Sequence, residues 1–168
     1  DIFIAPPNLA EAMHGDRVLA RVERHTEKGL EGRIVQILER AQARVVGRFE
    51  VDAGGLGYVV PFDKRIVTDI HVPSGQWLSA EPGEMVLVEI TRFPTPTRGP
   101  VGRVAEVMGN VEEPGVDTQV IIRKHGIPDE HGAEAIAEAV RIGGAVKERD
   151  IAGRTDFRGV TTVTIDGE

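Results

Sequence analysis

The chain repeats itself over a distance too long for a solenoid unit and short enough for a small domain, and this limits its possible folds more than any other feature. Asp1-Ile2-Phe3-Ile4-Ala5-Pro6 returns as Asp69-Ile70-His71-Val72-Pro73, an offset of 68. The same offset carries Gly15-Asp16 to Gly83-Glu84, and Val18, Ala20 and Val22 to Val86, Val88 and Ile90. Gly32-Arg33-Ile34 then matches Gly102-Arg103-Val104, with Ile37 and Leu38 on Val107 and Met108, so the offset has grown to 70. The two extra residues fit the loop holding Pro94, Pro96 and Pro100. Solenoid repeats run about 20–50 residues, so a period near 70 implies two copies of a small domain.

The periodicity inside each copy is that of strands. Val18/Ala20/Val22 and Val86/Val88/Ile90 alternate with mostly polar neighbours, as half-buried strands do, and Gly15 and Gly83 supply the turns before them. The second copy has two more strands upstream, Arg44 to Val51 and Gly57 to Pro61, joined through Ala53-Gly54-Gly55. Asp69–Val72, Val86–Arg92 and Gly102–Met108 complete a set of five. Five short strands in about 65 residues suggest a small Greek-key barrel of the oligonucleotide-binding (OB) type. The first copy shows only the last three strands, with Asp1–Ile4 expected at its edge, so its barrel is expected to lack the N-terminal ones.

Composition narrows the class. The 168 residues suit one ordinary domain or two small ones, and they contain no cysteine, which excludes disulfide frameworks, zinc ribbons and thiol nucleophiles. No apolar run approaches the ~18 residues of a membrane span, so no membrane partner is expected. The net charge is −7, unevenly spread. Residues 1–45 carry seven basic and seven acidic side chains, residues 46–109 six and eight, residues 110–168 seven and twelve. This balance counts against a uniformly basic nucleic-acid binder, although a near-neutral domain can still line one face with arginines.

With seven aromatic residues in the chain, their positions carry weight. Phe49, Tyr58 and His71 fall one per strand on three successive expected strands, where they could form a face for stacking bases at roughly 1–3 kcal/mol each. Equally, Phe49 and Tyr58 could fill the barrel core. The five histidines show no metal-ligand spacing, which favours a solvent-facing or stacking role for His71. Arg48, Lys64, Arg65 and Arg103 are the candidate phosphate contacts, each of which could equally be an ordinary solvated cation.

Gly47-Arg48-Phe49, Gly55-Leu56-Gly57-Tyr58-Val59-Val60-Pro61 and Asp69-Ile70-His71-Val72 resemble the cold-shock domain and its two RNA-binding strand motifs. The resemblance places Phe49, Tyr58 and His71 at stacking positions, and Phe3 at the third-strand position of the first copy. Leu56 and His71 stand where that family usually has phenylalanine. The longer succession runs from Ala12-Met13-His14-Gly15-Asp16-Arg17-Val18 through Glu31–Arg40, Gly47–Glu50, Pro114–Asp117 and Ile121–Gly126 to Val163–Glu168. It resembles the ribonuclease R branch of the ribonuclease II family over nearly the whole chain.

The resemblance implies a division into residues 1–44, the C-terminal part of a first cold-shock domain; 45–109, a second; 110–158, a helical connector; and 159–168, the first strand of a catalytic RNB domain. It implies a cytoplasmic protein whose parent degrades single-stranded RNA processively from the 3′ end with magnesium. It also assigns Asp166, in Thr164-Ile165-Asp166, as the first metal carboxylate, with the remaining ligands expected beyond Glu168. Residues 1–168 are therefore expected to bind and guide RNA towards the catalytic domain of the same chain, with no magnesium bound and no complete catalytic site.

The residues themselves add that Val116 to His125 has helical apolar spacing ended by Gly126. Ala133 to Val140 is rich in good helix formers and is followed by Gly143-Gly144, with Ile136, Ala137 and Val140 forming a narrow apolar stripe. Thr161 to Ile165 is β-branched throughout and reads as a strand. The expected architecture is mainly β with a helical connector. The competing class is an OB-fold module that binds a protein and has no nuclease role.

Overall fold

A computed structural model describes residues 1–27 and 29–163. They divide into two compact units, with the break between Pro128 and Asp129.

The first unit opens with three strands: β1 (Ile2–Ile4), β2 (Arg17–Thr26) and β3 (Gly29–Glu39). They form one open sheet in the order β1-β3-β2, with β1 parallel and β2 antiparallel to β3. Five further strands follow: β4 (Arg44–Val51), β5 (Gly57–Pro61), β6 (Ile70–Val72), β7 (Met85–Arg92) and β8 (Val101–Gly109). These close into a barrel in the order β4-β5-β6-β8-β7, β7 returning to β4. The mainly β architecture expected from the sequence is present, as a closed five-stranded barrel and a three-stranded open sheet.

The internal repeat holds at the level of individual residue pairs. Val18 opposes Ile37, and Val86 opposes Val107; Ala20 opposes Ile34, and Val88 opposes Val104; Val22 opposes Gly32, and Ile90 opposes Gly102. Phe3 faces Glu31 across the parallel pair as His71 faces Val101. The register shifts recur too, at Leu19/Ala20 and Leu87/Val88, then at Val22/Arg24 and Ile90/Arg92. A bulge bends and twists a strand locally, so both copies curve in the same way. Gly15 and Gly83, at φ +87° and +96°, make the left-handed turns before β2 and β7.

Burial separates the copies. In the barrel, Val45, Phe49, Val59, Ile70, Val72, Val86, Val88 and Val104 form a dry core. At the corresponding positions of the open sheet, Ile2 and Val22 are exposed and Ala20 and Ile34 are half-buried. The difference is β4 and β5, whose inward side chains cover the barrel's strands and have no counterpart among the described residues of the first copy.

Phe49 needs a correction as a stacking residue. Its ring is fully buried and lies 5.3 Å from that of Trp77, tilted at 57°. The indole Nε1 of Trp77 donates to the Val72 carbonyl at 2.8 Å, which anchors the ring over the barrel end. Gly57 makes room for it, since a Cβ there would lie 2.5 Å from Nε1. Phe49 holds the core together and cannot meet a base without opening it.

Helix α1 (Val116–His125) appears where the apolar spacing places it and ends at Gly126, φ +59°. It packs on the barrel. Val116 and Val120 join Val46, Met85, Leu87 and Met108 in a second core layer, and Arg123 forks onto Glu106 at 2.7 and 3.0 Å. The first part of the expected connector is thus built into the barrel unit.

The open sheet is tied to the barrel by Asp16. Its carboxylate, 1% exposed, accepts from the backbone N–H groups of Met13 and Ala41 at 2.9 Å each and from Arg40 at 2.8 Å. Arg40 also donates to the Glu11 carbonyl and lies 4.4 Å over the Phe93 ring, while Met13 packs on the barrel core.

The second unit contains α2 (Ala133–Ile142), followed at its C-terminal end by Gly143, and a single turn α3 (Glu148–Ile151). Ile136 and Val140 of the apolar stripe are exposed. Thr161–Val163, the described part of the expected final strand, has no regular structure, and among the described residues no strand pairs with it. Its β-branched residues favour a strand mainly when a neighbouring strand shares the hydrogen bonds and packing. Thr164, Ile165 and Asp166 lie outside the described residues. No helix among those described is long and apolar enough to cross a membrane.

Two stability outcomes follow from this packing. Phe49→Ala is expected to cost about 3–5 kcal/mol through the cavity it leaves, read by urea or thermal unfolding, while Tyr58→Ala changes stability far less. Asp16→Ala strands the partly buried Arg40 and two backbone donors, and is expected to cost about 2–3 kcal/mol.

Candidate nucleic-acid interface

Strand pairing determines which side chains share the barrel's outer face. Along β4 the inward residues are Val45, Gly47, Phe49 and Val51, which sends Arg48 and Glu50 outward. Glu50 pairs with Tyr58 on β5, Tyr58 with His71 on β6, and His71 with Val101 on β8. These four residues form one transverse row across adjacent strands, and residues in register project from the same face. Arg103, two residues beyond Val101 on β8, lies beside the row and pairs with Glu89 on β7.

Of the residues picked out from the sequence, Arg48, Tyr58, His71 and Arg103 thus come together on this face, Tyr58 half-buried and the other three exposed. Phe3, 64% exposed, occupies the matching position on the open sheet. Phe49 lies on the opposite side of the barrel wall. Lys64 and Arg65 belong to the loop after β5 and do not join the row. Leu56, in the turn before β5, is 57% exposed, so the site usual for phenylalanine carries an exposed aliphatic side chain.

Three of the four candidate phosphate contacts are already held by carboxylates. Arg48 Nε lies 2.7 Å from Glu50, and Arg103 reaches Glu89 Oε2 through Nε at 2.9 Å and Nη2 at 2.7 Å. Arg65 forks onto Asp63 at 2.9 and 2.6 Å. The side-chain hydrogen bonds from Arg65, helped by its backbone N–H, hold the Asp63 carboxyl well below the usual carboxylate range. Lys124, which also sits 5.3 Å over the Phe62 ring, approaches Asp63 to 3.9 Å. The face is near neutral because its cations are paired, which is how an acidic chain can still present arginines.

Arg33 is not among the residues that the sequence singles out. It occupies the place in β3 that Arg103 has in β8, within the same Gly-Arg-apolar triplet, and is also exposed. The repeat itself was the signal for it.

An open cleft of about 590 Å³ lies elsewhere on this unit, between the 9–16 segment and the loops after β5 and β7. Its walls include His14, Arg65 and Arg98. Among the described residues, no three histidine or acidic side chains are placed to hold a metal ion. Asp166, which the resemblance assigns to magnesium, lies outside them.

A cold shock domain model matches residues 58–131, and the Ribonuclease B OB domain model matches residues 1–37. The first match runs beyond the barrel and across α1, in line with that helix packing on the barrel. Ribonuclease R of Thermotoga maritima is 40% identical over 171 aligned residues, covering 100% of this chain and 24% of the relative. Ribonuclease R of Acidithiobacillus ferrooxidans is 37% identical, covering 99% of this chain and 38% of the relative. The chain is similar to the ribonuclease R proteins along its whole length. It spans between about a quarter and two-fifths of the length of these two. The fold agrees: Mycoplasma genitalium RNase R, solved in complex with ribose methylated single-stranded RNA, superposes with a TM-score of 0.72 at 20% identity. That match covers 90% of this chain and 24% of the other.

Proposed function

We propose that this chain is the single-stranded RNA-binding region of a ribonuclease R-like 3′-to-5′ exoribonuclease. The observation that carries the reading is the Tyr58–His71–Arg103 face on a closed OB barrel, in a chain similar to ribonuclease R along its whole length. A phenol ring and an imidazole on neighbouring strands offer stacking surfaces to successive bases, and stacking is tolerant of sequence because every base has a π-face. Arg48 and Arg103 flank them where a backbone would pass. Such a face grips RNA without reading it, as suits an enzyme that must move along any sequence.

Processive hydrolysis belongs, on this reading, to the catalytic RNB domain of the same protein, where magnesium serves, and a cytoplasmic location accompanies it. Residues 1–168 guide the strand. The alternative of a protein-binding module draws on the acidic balance and on the exposed apolar residues of the open sheet.

A salt titration separates the two readings. With a fluorescent single-stranded oligonucleotide, RNA binding through about three phosphates should weaken about 10- to 20-fold between 50 and 200 mM salt. Tyr58→Ala should weaken it about fivefold or more with the fold intact. Absence of binding at low salt, or binding insensitive to both changes, would favour the protein-binding module.

A further inference from the structure

Arginine recurs at one position in the two sheets, and a glutamate holds it in both, yet that glutamate comes from different places. In the barrel, Arg103 is bound by Glu89, directly opposite on β7. In the open sheet the residue opposite Arg33 is Arg21, a like charge, which destabilises a cross-strand pair. The carboxylate is supplied instead by Glu23, which lies 3.0 Å from Arg33 and 3.6 Å from Arg21. The position corresponding to Glu23 in the barrel is Thr91. The same arginine latch has therefore been built twice with different acids.

Stability gives little reason for this. The side chains of Arg33 and Arg103 are 48% and 55% exposed and both glutamates 36%, a range in which ion pairs contribute little to folding. The surroundings also recur. Beside each arginine, on the neighbouring parallel strand, stands a ring: Phe3 by β3 and His71 by β8, each two residues from the arginine in register. A ring that takes a base and a guanidinium that takes the adjoining phosphate make a nucleotide-sized pair of contacts.

We propose that Arg33 and Arg103 are matched phosphate contacts, one on each sheet, and that Glu23 and Glu89 compete with the RNA backbone for them. The inference rests on the RNA-binding reading above. Arg103 spends Nε and Nη2 on a single carboxylate oxygen, leaving donors of its five for an arriving phosphate. As the phosphate engages the guanidinium, the carboxylate is repelled and released. Because every phosphate displaces an acid, the grip at each site stays weak and is reset when the strand moves on.

The test measures the Kd of a single-stranded RNA oligonucleotide in a double-mutant cycle on residues 1–168, with thermal melting confirming that each variant is folded. Glu89→Gln keeps a hydrogen-bond acceptor for Arg103 and removes the competing charge. It is expected to tighten binding about fivefold when Arg103 is present and less than twofold with Arg103→Ala, since the coupling of close charge pairs shows as non-additivity. Glu23→Gln should tighten binding similarly, dependent on Arg33. If Glu89→Gln has no effect, or the same effect in both backgrounds, the glutamate is no latch and the proposal fails while RNA binding stands. If the unaltered chain binds no RNA at low salt, the RNA-binding reading falls first and this one with it.

Discussion

The barrel depends on the close approach of three strands at Gly102. A Cβ there would strike the Val88 side chain on β7, and would lie 2.8 Å from the Glu89 carbonyl and 3.1 Å from Ile70 on β6. Only a residue without a side chain lets β8 press against both neighbours, one parallel and one antiparallel. Gly32 does the same in the open sheet, meeting the Arg21 carbonyl and the Ile2 side chain. Because these glycines place the strands, they also place what projects outward beside them: Arg103 and Arg33 are the next residues along, turned to the opposite face. Closure of the inside and display on the outside have a common origin.

The same wall explains how a chain of net charge −7 can be read as an RNA binder. Its inner surface is dry and apolar, while its outer surface carries arginines held by nearby carboxylates. Net charge reports the sum and conceals the pairing. What distinguishes the two sheets is coverage. Phe49, Val45 and Val59 seal the barrel, and α1 adds an outer layer over Val46 and Leu87.

Much of this was legible in the sequence because the repeat and the alternation were independent signals that agreed. The bounds of β4, β5 and α1 follow from Gly, Pro and apolar spacing alone, and even the bulges recur as the 68-residue offset implies. The face of Phe49 was not legible. In Val45-Val46 the alternation is lost, since Val45 fills the barrel while Val46 lies beneath α1. The pairing of Phe49 with Val59, and of Glu50 with Tyr58, then puts the two aromatics on opposite faces. Neither strand discloses that register by itself. The carboxylate partner of Arg103 was hidden for the same reason, as its pairing with Glu89 depends on register, whereas Glu50 lies two residues from Arg48 on the same strand. Arg33 was legible through its triplet but needed the open sheet to show that it is exposed.

The central claim is that single-stranded RNA lies across the outer face of these strands, and amide chemical-shift mapping tests it most directly. Adding an unlabelled RNA oligonucleotide to isotope-labelled residues 1–168 should shift the amides around Tyr58, His71 and Arg103, and those around Phe3 and Arg33, while α1 stays unchanged. Shifts confined to α1 or to residues 129–163, with β5, β6 and β8 undisturbed, would contradict the account.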